Sequence, residues 1–262
     1  MTTNVALDVR PLSPLIGAEI HGLDLGQALG ADRVAAVRDA LNTHHVVFFR
    51  DQHLSPEAQV AFASQFGEVT EAHPVLPSIP EHAQVLPIDG AVDRASWWHT
   101  DVTFLDTPPL GSILAMQECP RVGGDTMWAS TQDAYHSLSP SVRAMCDQLV
   151  ALHRDKLWPC LHPVVRTHPE NGRNGLFVNG QFTLQIMGLS KTESNAILQM
   201  LYEHCVRPEH TVRFHWEPGS VAFWDNRATM HYALDDYGDA VRTAHRVTLR
   251  GDRPYGPAMP KP

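Results

Sequence analysis

Trp98-His99-Thr100-Asp101 sets an imidazole and a carboxylate two residues apart, and far downstream His231 is followed by Arg242 and Arg246. Two imidazoles and one carboxylate can hold one face of a non-haem Fe(II) ion, leaving three positions for a bidentate co-substrate and dioxygen. The same three side chains with a metal-bound water would also suit a zinc-dependent hydrolase. The arginines bear on that choice. In an extended strand Arg242 and Arg246 fall on one face, about 13 Å apart at ~3.3 Å per residue. A guanidinium fork matches carboxylate or sulfonate oxygens, so one can anchor the far carboxylate of a dicarboxylic co-substrate and the other an anionic substrate. The plainer alternative makes them exposed strand residues paired with Asp235, Asp236 or Asp239. A hydrolase leaves Arg242 without a task, so the residues favour an oxygen-activating enzyme.

Something must position these groups. In a strand, alternate residues share a face, so a strand over Trp97–Phe104 would point His99 and Asp101 the same way. His231 would join them from another strand, Ala228–Leu234. Further short β-like runs are Gln84–Ile88, Leu110–Cys119, Thr126–Ser130, His162–Thr167, Gly175–Asn179, Thr211–Trp216, Ser220–Trp224 and Arg242–Arg250. Val46-Val47-Phe48-Phe49-Arg50 reads as a buried strand behind a helix over Ala31–His44. Ser55-Pro56 is a cap and first-turn pair that opens a helix to Phe66, Ser139-Pro140 announces another, and Ser190 with Glu193 forms a capping box for one ending near Cys205. Short strands with helices outside them predict a mainly β protein, a two-sheet jelly roll with flanking helices. The expectation is one domain over residues 1–262, with its core at about 5–254 and an irregular tail of little structural role after Asp252.

Composition narrows the partners. A 262-residue chain with 43% hydrophobic and 19% charged residues can bury a sizeable core. The formal net charge of −9 argues against a phosphate-backbone partner, which needs clustered Lys and Arg. Four cysteines without a C-x-x-C pair do not make a disulfide framework, and no run of about 20 apolar residues suggests a membrane span. A small anionic organic molecule as substrate, a cytoplasmic location and a homo-oligomer, dimer or tetramer, are expected. His44-His45 ends a helix, where packing and the helix C-terminus explain it.

A longer set of motifs carries a resemblance. Trp98-His99-Thr100-Asp101-Val102-Thr103-Phe104, Thr107-Pro108-Pro109, Gly123-Gly124-Asp125-Thr126 and Leu161–Pro169 occur in order, followed by Trp224–Tyr232, His245-Arg246 and Gly251-Asp252-Arg253-Pro254. Together, from Gly17-Ala18 to Pro254, the chain resembles the bacterial taurine dioxygenase family of Fe(II)/2-oxoglutarate enzymes. The resemblance implies a double-stranded β-helix, a jelly roll of the cupin kind, with His99, Asp101 and His231 on Fe(II). It implies Thr126 and Arg242 on the 2-oxoglutarate carboxylate and Arg246 on the acidic head of the substrate, with the backbone N–H of Val102 reaching that head. Phe182 falls where the family has an aromatic pocket wall, ordinary core packing being the alternative. The implied reaction uses O2 to oxidise 2-oxoglutarate to succinate and CO2 while hydroxylating a carbon of taurine or a related alkanesulfonate, giving aldehyde and sulfite. Alkyl sulfates and aryloxyalkanoates are alternatives.

Departures from the family pattern concern the substrate. Past Phe66-Gly67-Glu68 the histidine falls later than expected, at His73, which is a candidate for the substrate pocket. The asparagine expected ahead of His99 is Ala95. The region between Leu152 and Leu161 is short, as if a lid segment were trimmed.

Overall fold

A computed structural model describes residues 7–71, 76–92, 94–155 and 158–261. Seven strands form the main sheet, in the order Asp8–Pro11, Ala18–His21, Val46–Phe49, Val221–Asp225, Gly111–Glu118, Thr243–Leu249 and Val85–Asp89. Neighbours are antiparallel except Ala18–His21 and Val46–Phe49, which run parallel. Facing it is a three-stranded sheet in the order Thr211–Phe214, Thr126–Ser130 and Thr229–Ala233.

The unbroken apolar run Val46–Phe49 follows from burial on both faces of its strand, which removes the alternation a one-sided strand would show. Val46 and Phe48 enter the layer between the sheets with Trp128, Phe214, Trp216, Ala222 and Trp224. Val47 and Phe49 face the other way, with Val221 and Phe223, against Val37 and Leu41 of the helix Ala31–His44 and Phe62 of the helix Pro56–Ser64. The same alternation in Thr243–Leu249 sends Val247 and Leu249 under those helices and leaves Arg246, on the opposite parity, to the jelly-roll interior.

The capping signals are realised. Ser55 accepts from Ala58 N ahead of Pro56, and Ser190 and Glu193 close a reciprocal box at the start of Lys191–Cys205. Ser139 precedes the helix Pro140–Cys146 but its side chain makes no cap bond. The short helix Thr131–Ser137, capped by Ser130, was not foreseen, nor were the strands Asp8–Pro11, Ala18–His21, Val150–Arg154 and Thr183–Ile186. The expected strand His162–Thr167 is divided into Pro159–Pro163 and Val165–Thr167.

Two corrections matter for the site. Trp97–Phe104 is not a strand: His99 makes an isolated antiparallel bridge with His231, and the chain turns at once over Asp101–Phe104. The tail after Asp252 has a structural task, because Tyr255 O accepts from Thr167 N and Asp252 pairs with the buried Arg166 at 2.8 Å. On either side of the short segment after Leu152, Val150–Arg154 pairs antiparallel with Pro159–Pro163. Among the described residues no helix is long and apolar enough to cross a membrane.

Candidate metal centre and its anion pockets

His99 and His231 face one another across their bridge and exchange both backbone bonds, His99 N to His231 O at 3.0 Å and His231 N to His99 O at 2.8 Å. Directly opposed residues present their side chains to the same face, and the ring centroids lie 4.1 Å apart. The turn that follows brings Asp101 back onto the pair. Asn226 locks it: Asp101 N donates to Asn226 Oδ1 at 3.0 Å, and Asn226 Nδ2 donates to Asp101 O at 3.2 Å. Thr100 turns away and donates to Thr229 O. Thus the expected convergence is met, but by a bridge and a turn instead of one straight strand.

Asp101 Oδ1 stands 3.8 Å from His99 Nε2 and 3.9 Å from His231 Nε2. An ion about 2.1 Å from each donor spans donors about 4 Å apart; both separations from Asp101 meet that, and the three donor atoms all lie within 4.8 Å of one another, a set that can hold a metal. Protonation also fits. His99 Nδ1 is 2.9 Å from Trp97 O, a carbonyl that can only accept, which leaves the Nε2 lone pair facing Asp101. Burial lowers the His99 pKa despite the pull of Asp101. Burial, followed by repulsion from His99, brings His231 down to about 3. Both imidazoles are therefore neutral near pH 7, the form that ligates metal. Among the described residues this is the one cluster of three or more potential ligands.

A small cavity of about 80 Å³ opens behind the histidines, lined by Thr126, Trp216, Trp224, His231, Arg242 and Arg246 among others. Arg242 is 5% exposed and donates from Nε to Gly124 O and from Nη2 to Thr126 Oγ1. It has no carboxylate partner among the described residues. Burial lowers its pKa, though a guanidinium stays charged. The plain alternative of exposed arginines matched to nearby aspartates is therefore wrong: Asp235 pairs with Arg94 and Asp236 with Arg213. Arg242 also lies just ahead of its strand, whose register shifts between Thr243 and Ala244, yet both arginines reach the same cavity.

Arg246 Nη1 donates to Asp101 Oδ1 at 2.9 Å. On the outer side a larger cavity of about 440 Å³ is lined by Leu76, Leu86, Ile88, Ala95, Val102 and Phe182 with His99, Asp101 and Arg246. Val102 has φ +43°, rare for a β-branched residue, and its N–H meets no acceptor among the described residues. Phe182 is both wall and core, since it packs edge-on against Phe104 at 5.0 Å and clusters with Val102. His73 lies outside the described residues.

Several residues of the site escaped the sequence reading. Ser112 Oγ donates to Asp101 Oδ2 at 3.4 Å. Thr103, inside the metal turn, bonds both His153 and Asn179. Asn226 lies in the motif Trp224-Asp225-Asn226-Arg227, and its place there is the available signal. Trp216 gave none.

Two neutral imidazoles and a carboxylate at the mouth of a jelly roll, with a buried guanidinium behind them, define the class of non-haem iron oxygenases that use a 2-oxo acid. The comparisons agree. A model described as "Taurine catabolism dioxygenase TauD, TfdA family" matches residues 8–248, and the chain belongs to this family. It is an Fe(II)- and 2-oxoglutarate-dependent dioxygenase, taurine dioxygenase-like. It is 42% identical to an alpha-ketoglutarate-dependent sulfate ester dioxygenase of Pseudomonas putida, over 95% of this chain and 91% of that protein. It is 38% identical to an alkylsulfatase of Acinetobacter baylyi, over 94% and 86%. The crystal structure of a taurine dioxygenase from Burkholderia xenovorans superposes with a TM-score of 0.92 at 47% identity, covering 97% of this chain and 92% of that one.

Proposed function

We propose that the chain hydroxylates the carbon that carries the sulfate or sulfonate group of an aliphatic substrate, with His99, Asp101 and His231 holding Fe(II). Bound iron, with 2-oxoglutarate and dioxygen, supplies the oxidising power, and the co-substrate leaves as succinate and CO2. The observation that carries the reading is Arg242, a buried guanidinium without a carboxylate partner among the described residues. A buried unpaired charge is costly, and a carboxylate in the adjoining cavity would match it. In this reading Arg242 and the Thr126 hydroxyl bind the far carboxylate of 2-oxoglutarate and so set its orientation. Arg246 and the Val102 N–H take the anionic head of the substrate, and Val102, Phe182 and Leu86 exclude water. Hydroxylation beside a sulfate ester oxygen gives a species that collapses to an aldehyde and sulfate; beside a sulfonate it gives an aldehyde and sulfite.

An apolar chain is favoured over taurine. The outer cavity is walled by Leu76, Leu86, Ile88, Val102 and Phe182, and at Ala95 a methyl group stands where an amide would receive an amine. Apart from Arg246, the described cation lining that cavity is Arg94, which is already bonded to Asp235, Gly90 O and Gly238 O. The test is anaerobic loading with Fe(II) and 2-oxoglutarate, then oxygen, with succinate measured against taurine, alkanesulfonates, alkyl sulfates and aryloxyalkanoates. Medium-chain alkyl sulfates or sulfonates should stimulate succinate most. A preference for taurine would refute the apolar-chain reading, and stimulation by no member of the panel would refute the function.

A further inference from the structure

We infer that Trp216 is a positioning residue for 2-oxoglutarate, acting through the hydroxyl rotor of Thr126. This rests on the proposal that Thr126 and Arg242 bind the far carboxylate. The indole Nε1–H of Trp216 donates to Thr126 Oγ1 at 2.9 Å, and Arg242 Nη2 donates to the same oxygen at 3.3 Å. A threonine hydroxyl has two lone pairs and one proton. Indole and guanidinium groups can only donate, so both lone pairs are taken and the O–H must serve as the donor. Among the described residues it finds no acceptor, and Thr126 lines the small cavity with Trp216 and Arg242. Thr126 and Arg242 therefore present only donors there, with the Trp216 N–H spent on holding the hydroxyl, which suits a carboxylate and rejects a neutral acceptor–donor group.

Without the indole N–H, the hydroxyl could rotate and accept from a different direction, and its proton would no longer be committed to the cavity. Trp216 is itself held rigidly. It is 2% exposed and packs edge-on against Phe214 at 5.1 Å and Trp128 at 6.2 Å. Thr126 is fixed from both sides by its pairing with Phe214 and Ala233. The geometry thus converts a freely turning hydroxyl into an oriented donor, a gain in preorganisation and not a new contact to the ligand.

The experiment measures dissociation constants by calorimetry on the Fe(II)-loaded protein without oxygen, for 2-oxoglutarate and for 2-oxopentanoate, which has the same chain length but no far carboxylate. Trp216→Phe should weaken 2-oxoglutarate about fivefold, the worth of one modest hydrogen bond, and leave 2-oxopentanoate unchanged. In a Thr126→Val background, Trp216→Phe should have no further effect. Equal weakening of both keto acids, or additive effects of the two substitutions, would mean that Trp216 acts by packing alone and would overturn the inference. Undiminished 2-oxoglutarate binding by Thr126→Val would instead bring down the carboxylate assignment itself, and this inference with it. Should the Phe variant not fold, benzothienylalanine at position 216 keeps the bicyclic shape without the N–H and permits the same comparison.

Discussion

Arg246 Nη1 donates to Oδ1 of Asp101 at 2.9 Å, and that oxygen is also the one that stands 3.8 Å and 3.9 Å from the Nε2 atoms of His99 and His231. One carboxylate oxygen thus faces a cation on one side and two neutral metal ligands on the other. Its second oxygen accepts from Ser112. Asp101 ties the metal centre to both cavities, because its partner Arg246 lines each of them.

Removing that guanidinium should separate substrate binding from metal binding. Arg246→Ala is expected to raise the KM for the anionic substrate by about 10- to 100-fold, the range for a hydrogen bond to a charged group. The 2-oxoglutarate dissociation constant should stay within about twofold. Co(II) affinity, followed by absorbance, should not fall, since a like charge beside the metal ligands is removed. A loss of 2-oxoglutarate binding larger than the loss of substrate binding would contradict the division of labour between Arg242 and Arg246.

The ligand set can be challenged directly. His99→Ala should abolish stoichiometric Fe(II) binding and substrate-stimulated succinate. Asn226→Ala should weaken both while keeping the ligands, because it frees the backbone of Asp101. A His99→Ala enzyme with unaltered turnover would rule out the metal assignment.

Acid should weaken the fold before the carboxylates titrate. Burial lowers the pKa of His162 to about 4 and that of its neighbour His153 well below the ordinary value of 6.5. A neutral imidazole in the fold and a protonatable one in the unfolded chain mean that the unfolded state binds more protons below pH 6.5. Stability is therefore fully present above that pH and falls as pH drops toward 4, by roughly 1.4 kcal/mol per pH unit for each such group. The melting temperature of the metal-free protein should drop between pH 7.5 and 5.5, and less steeply in His162→Gln. Parallel pH profiles for the two proteins would show that His162 is not responsible.

The terminal segment supplies a test far from the metal. A Cβ on Gly256 would lie 1.9 Å from Val165 O, a backbone atom with no room to retreat. Gly256→Ala should cost at least about 2 kcal/mol and lower the melting temperature measurably, with the KM values little changed. Wild-type stability in that variant would show that the tail does not bear on the Val165–Thr167 strand.

Much of this architecture is written locally. Helix starts at Pro56 and Lys191 follow from Ser55 and from the Ser190–Glu193 box, where side chain and backbone are neighbours in the chain. The doubly buried strand Val46–Phe49 is visible because burial on two faces leaves an unbroken apolar run. His99, Asp101, His231 and the two arginines are identifiable by type and order, and Thr126 by the family resemblance. What escapes a one-dimensional reading is which distant group each backbone bond finds. Alternation made Trp97–Phe104 a strand, but the pairing ends at the His99–His231 bridge and Asn226 takes the Asp101 backbone, so the chain turns. Nothing near Trp216 indicates that its N–H ends on Thr126, and the proline-rich tail gives no sign of the Thr167 N–H it satisfies. Residue types and short-range patterns set the available chemistry and elements; contacts between segments far apart in the chain decide orientation, because buried hydrogen-bonding groups must be paired wherever a partner lies in space.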